Sequence, residues 1–363
     1  MVLQQLDILN YRNIREASLT LSPNINCLTG NNGMGKTNIL DAIYLLSFCK
    51  SNFTNIDTQN INHDADFLLV SGTYLRLGRQ ENIACGLKRG QKKHLKRNGK
   101  EYQRITDHIG LLPLVIVSPY DNELIIGGSE QRRKFIDSVI AQTDRTYLHN
   151  ILAYNQLLKQ RNAMLKNEQV DDKVLDIIDM QMGQFGQQIF ETRTAFIRQF
   201  SPLFEEFYSI IADADYEKAG LTYTSHLQQQ DLTTDLIGLR QRDHLIGFTT
   251  HGTHKDDIEL TINNYPAKNV GSQGQQKTIL LALKFAQFEF LKQKHGLNPL
   301  LLLDDLFDKL DSTRVNKIVE LVSTDRFGQI VITDTNLAHI DEILRTITLE
   351  NKIFNIKDGK ISD

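Results

Sequence analysis

Tryptophan is absent from this sequence, and cysteine occurs only three times and proline six times in 363 residues. Cys27, Cys49 and Cys85 are odd in number, lack the paired spacing of a metal site and sit among apolar or small residues. They read as buried thiols in a reducing compartment, not as a disulfide framework. No apolar run approaches the roughly 18 residues needed to span a bilayer. The start, MVLQQLDILNYRN, has no basic segment followed by an apolar one, so no secretory leader is expected. A cytoplasmic protein without a membrane partner is the expectation. An excess of basic charge is missing too: the formal net charge is -3. Any DNA must therefore be met by a local basic patch and not by overall attraction. Internal repeats and low-complexity linkers are also lacking. What is present, 40% hydrophobic and 23% charged residues, suits an ordinary globular core and excludes wholesale disorder.

Alternating apolar residues predict a strand pair around Leu6–Ile8 and Leu19–Leu21, turning at Tyr11-Arg12-Asn13. A short buried strand, 24–29, then runs into Gly30, and Ile39, Leu40, Ile43 and Leu46 recur at helical spacing beyond it. Strand character returns over 67–117, with Asn98-Gly99 as a turn dipeptide. From about Ser129 to Ala214 the period is helical, broken only by Gly183, Gly186 and Pro202. Strands are predicted again near 221–224, 257–262, 299–303 and 329–333, and the tail is a hairpin turning at Asp358-Gly359. The fold class is therefore α/β, a nucleotide-binding lobe over 1–120 and 220–363 split by a mainly helical insertion over 121–219.

Gly30, Asn31, Asn32, Gly33, Met34, Gly35, Lys36 and Thr37 fit the phosphate-loop pattern G-x-x-x-x-G-K-[ST], with Asn38 next in line. Glycines let backbone N–H groups converge on an oxyanion, and the following helix presents its positive end. Lys36 is expected on the terminal phosphates of ATP and Thr37 on Mg²⁺. A plain glycine-rich turn would need neither the buried strand before it nor the amphipathic helix after it.

The run 300–305 places Asp304 and Asp305 at the end of a buried strand, on the edge where a parallel sheet meets its phosphate loop. Asp304 is expected to hold Mg²⁺, directly or through water. Asp305 is expected to orient or deprotonate the attacking water. Asp311, which follows Asp308-Lys-Leu, is either a helix N-cap or part of a nucleotide-bridged contact.

Ser272-Gln-Gly-Gln-Gln-Lys277 precedes an apolar helix, so Ser272, Gly274 and Gln275 form a second anion-seeking helix start. One chain then carries two such ends, the first with a lysine and a metal hydroxyl, the second without the full loop. A simple way to use both is to share each nucleotide between two copies in a two-fold homodimer, with ATP promoting association by mass action.

This set of motifs resembles the ATP-binding-cassette heads of transporter ATPases, SMC proteins, Rad50 and RecF. Within that group, Asn10-Tyr-Arg-Asn13, the helix start 37–43, the basic segment 129–137, Gly252-Thr-His-Lys-Asp-Asp257 and the acidic run 301–311 resemble the RecF family. The resemblance spans nearly the whole chain in order. It implies a two-lobed head and a slow, DNA-stimulated ATPase that dimerises with ATP. It further implies binding to double-stranded DNA and gap junctions, and support of RecA loading with RecO and RecR. Thr253 and Lys255 stand where the family has proline and arginine. Thr333-Asp334 stands where transporters carry a sensing histidine.

The densest basic run, Lys88, Arg89, Lys92, Lys93, Lys96 and Arg97, either lies along DNA phosphates without reading sequence or is a solvated hairpin. Arg132, Arg133 and Lys134 are a second DNA candidate or a contact between lobes. His251 and His254 do not make a metal site; the resemblance places them near the nucleotide. The alternative reading, a transporter ATPase subunit, is opposed by Thr333, by Gln275 after Gly274 and by the helical insertion. An SMC or Rad50 fragment would need a long coiled coil. A small-molecule phosphoryl transferase would not need the Ser272 motif.

Overall fold

The computed structural model describes residues 1–167, 171–212, 216–305, 312–324, 326–334 and 350–362. In chain order the strands are β1 (Val2–Tyr11), β2 (Ile14–Thr20), β3 (Ile25–Thr29), β4 (Phe67–Arg76), β5 (Arg79–Lys88), β6 (His94–Arg97), β7 (Lys100–Glu101) and β8 (Leu114–Val117). They continue with β9 (Ala219–Thr224), β10 (Asp257–Ile262), β11 (Tyr265–Pro266), β12 (Leu300–Asp304), β13 (Ile330–Asp334), β14 (Asn351–Lys357) and β15 (Lys360–Ser362). The α-helices are α1 (Lys36–Phe48), α2 (Glu123–Ile126), α3 (Ser129–Ala141), α4 (Arg145–Met164), α5 (Asp172–Ala212), α6 (Leu232–Gly238), α7 (Arg240–Ile246), α8 (Ala267–Val270), α9 (Gln273–His295) and α10 (Ser312–Val322).

The chain forms two compact units, one of Met1–Asp121, Ile210–Asp213 and Leu281–Asp363, the other of Asn122–Ser209 and Ala214–Leu280. The first holds two six-stranded sheets. One is antiparallel in the order β2-β1-β4-β5-β6-β7; the other runs β15-β14-β3-β13-β12-β8 and is parallel from β14 to β8. Every residue of β3, β8, β12 and β13 is buried. That is why β8 and the first four residues of β12 read as unbroken apolar runs, whereas β2 and β5, which turn one face outward, alternate. Helix α1 packs against strands of both sheets, and eleven of its thirteen residues are buried. The turns foreseen at Asn98-Gly99 and Asp358-Gly359 have positive φ at both positions (50° and 79°, 52° and 71°), the geometry that Asn-Gly and Asp-Gly tolerate best.

The second unit is helical around a small sheet, β11-β10-β9. Two buried arginines knit it. Arg161 on α4 ion-pairs with Asp179 at 2.7 Å and Asp243 at 2.6 Å, and donates to Thr249 Oγ1 and the Leu236 carbonyl. Arg193 on α5 pairs with Asp256 at 2.6 Å and Asp137 at 2.9 Å. Gly183 and Gly186 are explained by close approach: a Cβ there would come within 1.9 Å of Thr233 Oγ1 and 2.5 Å of Leu232 Cδ2. The lobe expected over 121–219 thus extends to Leu280. The reason is that Arg132 and Arg133 on α3 and Arg193 on α5 bind Asp256 and Asp257 at the head of β10, which ties 220–280 to the helices.

Candidate functional site

The phosphate loop leaves the buried end of β3 with three glycines at positive φ, Gly30 at 143°, Gly33 at 79° and Gly35 at 116°. A Cβ on Gly30 would lie 2.3 Å from the Ile356 carbonyl oxygen, so that position tolerates only glycine. Asn31, Asn32 and Gly33 are exposed, while Gly35 and Lys36 are buried. Gly35 precedes α1 in a left-handed conformation with no side-chain cap, so the first N–H groups of α1 are not consumed by a capping side chain. The Lys36 ammonium donates to the Gly30 carbonyl at 2.6 Å and the Asn31 carbonyl at 3.1 Å, which folds it over the loop.

Neighbours that the motif alone does not name hold this loop. Asn13 donates to the Gly33 carbonyl and accepts from Asn38 Nδ2 at 2.7 Å. Arg12, at φ 52°, donates to Asn38 Oδ1 and pairs with buried Asp41 at 2.9 Å. From the C-terminal hairpin, the Gly359 N–H donates to the Met34 carbonyl at 3.0 Å. The turn 10–13 had a visible signal in its sequence; the hairpin contact, more than 300 residues away, had none.

Asp304 ends β12 beside this loop. Its carboxylate accepts from the Thr37 hydroxyl at 3.0 and 3.1 Å and from the Thr333 hydroxyl at 2.7 Å. Burial raises its pKa above the ordinary aspartate value, with the charge on Asp305 adding to it, while the two threonines and Lys36 oppose. A buried carboxylate bound to a hydroxyl is a hard-oxygen pair of the kind that magnesium takes, and a cation would relieve its desolvation. Asp305 follows at φ 44°, with its N–H on Thr333. Thr333 therefore braces both aspartates from β13. Asp308 and Asp311 lie outside the described residues.

Ser272 caps α9 in a reciprocal box. Its Oγ accepts from the Gln275 N–H at 3.2 Å, and its own N–H donates to Gln275 Oε1 at 2.9 Å. Ser272 is exposed, and Gly274 and Gln275 are half-buried.

The basic hairpin is only partly available. Lys93 is bound to Asp57 at 2.6 Å, Arg97 makes a two-pronged pair with Glu81, and Arg89 donates to the Ala65 and Asn62 carbonyls. These three are engaged by the protein's own groups, while Lys88, Lys92 and Lys96 are exposed. Arg132 and Arg133 bind Asp257 and the Asp256 carbonyl, joining the segment 121–219 to the segment after 220 as the lobe-contact alternative had it, although both segments lie in one unit. His254 accepts from the Tyr154 hydroxyl at Nδ1 and donates from Nε2 to the Thr249 carbonyl, and burial pushes its pKa down to about 4. It is a neutral, built-in histidine. His251 stacks on His226 and contacts Asp235. Among the described residues no cluster could hold a metal through His, Cys, Asp and Glu alone, and no helix is long and apolar enough to cross a membrane.

The sequence model of the RecF/RecN/SMC N terminal domain family matches residues 2–355. The DNA replication and repair protein RecF of Phocaeicola vulgatus is 50% identical over 100% of this chain and 98% of its own length. This chain belongs to the RecF family. The RecF of Flavobacterium johnsoniae is 47% identical over 98% of the chain and 100% of its own length. A solved structure described as the recombination mediator RecF-ATP in the RecFOR pathway superposes with a TM-score of 0.88 at 28% identity, covering 99% of this chain and 97% of that one. An Smc head from Pyrococcus furiosus, 16% identical with a TM-score of 0.58 over 99% of this chain and 95% of its own, shares the fold. These likenesses bear out the ABC-type head read from the motifs and the assignment to DNA replication and repair. The transporter reading gains no support from them.

Proposed function

We propose that the protein is an ATP-driven clamp of recombinational repair, in which two copies share two nucleotides and close on DNA. The observation that carries this is the pair of helix starts. The α1 start has the glycine loop, a lysine and no cap. The α9 start has a serine and a dipole but lacks the full glycine loop.

In this reading Gly30, Asn31, Asn32, Gly33, Met34, Gly35, Lys36, Thr37 and Asn38 take the phosphates of ATP. The Lys36 ammonium exchanges two loop carbonyls for phosphate oxygens. Thr37 and Asp304 would hold Mg²⁺, which when bound would neutralise charge on the terminal phosphates. Asp305 accepts a proton from, or orients, the attacking water. Ser272, Gly274 and Gln275 of a second copy meet the γ-phosphate from the other side. A hydroxyl can accept and donate at once. The Ser272 cap uses an oxygen lone pair and leaves the O–H proton to give to an anion. Asp311 is assigned to the same bridged contact by family resemblance. Loss of the γ-phosphate removes the shared ligand, and the pair loosens.

Lys88, Lys92 and Lys96 are proposed to lie along duplex phosphates, which gives affinity without sequence reading. Action in the cytoplasm, at gap junctions with RecO and RecR, follows from the family.

The test is the rate of ATP hydrolysis, with and without duplex DNA, across protein concentration. A rate per protomer that rises steeply with concentration and is stimulated by DNA is expected. A rate indifferent to both would overturn the proposal.

A further inference from the structure

The Ser272 cap does not stand alone. Gln275, whose Oε1 holds the Ser272 N–H at 2.9 Å, turns its amide nitrogen to Glu217 and donates to Oε1 at 2.8 Å. The other carboxylate oxygen of Glu217 accepts from the Tyr208 hydroxyl at 2.9 Å. Tyr208 is buried near the end of α5, Glu217 is half-buried just before β9, and Gln275 lies in the first turn of α9. A relay therefore runs Tyr208–Glu217–Gln275–Ser272 within the second unit.

The chemistry of each link fixes its direction. Glutamine has one acceptor oxygen and one donor nitrogen. With Oε1 facing the Ser272 N–H, the amide nitrogen points the other way as a donor, and a carboxylate is the strong acceptor for it. A carboxylate fixed at both oxygens holds the amide plane. The amide plane in turn sets where Ser272 sits at the helix end. The long side chain of Gln275 would otherwise sample several rotamers, and fixing it in advance lowers the cost of presenting Ser272 to a ligand.

We infer that Glu217 is a positioning residue for the α9 anion site. It acts through Gln275 and touches no nucleotide itself. The inference rests on the reading above, that Ser272 meets a nucleotide held by a second copy.

The experiment measures self-association of the full chain by sedimentation velocity with a non-hydrolysable ATP analogue. Nucleotide binding is measured separately, at protein concentrations too low for association. Glu217→Ala should raise the concentration for half-association by about tenfold, the scale of losing one charge-assisted hydrogen bond, and leave nucleotide affinity within about twofold. Glu217→Gln, which still offers an acceptor oxygen, should stay within about threefold of the natural protein. Tyr208→Phe, which frees one side of the carboxylate, should fall between them and serves if the alanine variant does not fold.

Unchanged association in Glu217→Ala and Tyr208→Phe overturns the inference. So does a Glu217→Gln as impaired as the alanine variant, or a parallel loss of nucleotide binding. Ser272→Arg separates the two levels. If it associates normally, the shared-nucleotide reading itself fails. If it does not associate while Glu217→Ala does, only the positioning role falls.

Discussion

The starts of α1 and α9 solve the same electrostatic problem in opposite ways. In the proposed function each offers the positive end of a helix to an anion. The α1 start has glycine at its N-cap with no side-chain bond, so its N–H groups depend on an outside partner. The α9 start ties down its Gln275 N–H through the Ser272–Gln275 box. An open cradle can hold a nucleotide by itself. In the proposed reading this difference sets the order: ATP loads on the glycine loop, and the capped end completes the site.

The largest expected effect comes from closing the open end. Gly30→Ala adds a Cβ 2.3 Å from the Ile356 carbonyl at a φ of 143°. Strain of roughly 1–3 kcal/mol must be relieved by moving the loop. Calorimetric titration should show ATP affinity at least about tenfold weaker. Unchanged affinity would mean that the loop is not the nucleotide's seat.

Next is Lys36→Arg. A charge remains, but a planar guanidinium cannot replace an ammonium folded onto the Gly30 and Asn31 carbonyls. Turnover should drop about tenfold or more, with nucleotide binding reduced far less, since a charge persists but its geometry shifts. Equal turnover would break the assignment.

The smallest effect separates the two units by acid. His254 in the second unit keeps its pKa near about 4, where a free histidine takes a proton near 6.5. Below pH 6.5 the unfolded chain binds a proton that the folded ring refuses until about 4, so stability falls as pH drops through that window. Denaturant unfolding at pH 7.5 and 5 should show His254→Gln losing less stability on acidification than the natural protein, by about 1–2 kcal/mol. An identical loss in both would show that His254 is not what makes the second unit acid-sensitive.

The open end was the most legible part of the molecule. Gly30 to Thr37 is a local motif whose flanking strand and helix carry their own periodicity, and Asp304 ends a run of buried leucines that only a parallel, doubly covered strand would need. Less legible was anything set by distant pairing. The hold of Gly359 on Met34, the brace of Thr333 on Asp304 and the link from Glu217 to Gln275 join residues separated by tens to hundreds of positions, with no periodicity to announce them. The pairing within the basic hairpin was hidden for the same reason. Lys93 and Arg97 read as free cations until their carboxylates, Asp57 and Glu81, are seen beside them. The second unit runs to Leu280, beyond the expected limit at 219, because its seam is made of buried ion pairs rather than a composition change.

The central claim is that each nucleotide needs the glycine loop of one copy and the capped serine of another. Mixing Lys36→Ala with Ser272→Arg tests it most directly. Each variant alone should be inactive in ATP hydrolysis. In an equal mixture half the pairs are mixed and each carries one intact composite site, so about a quarter of the natural activity should return. A mixture as inactive as its parts would contradict the account.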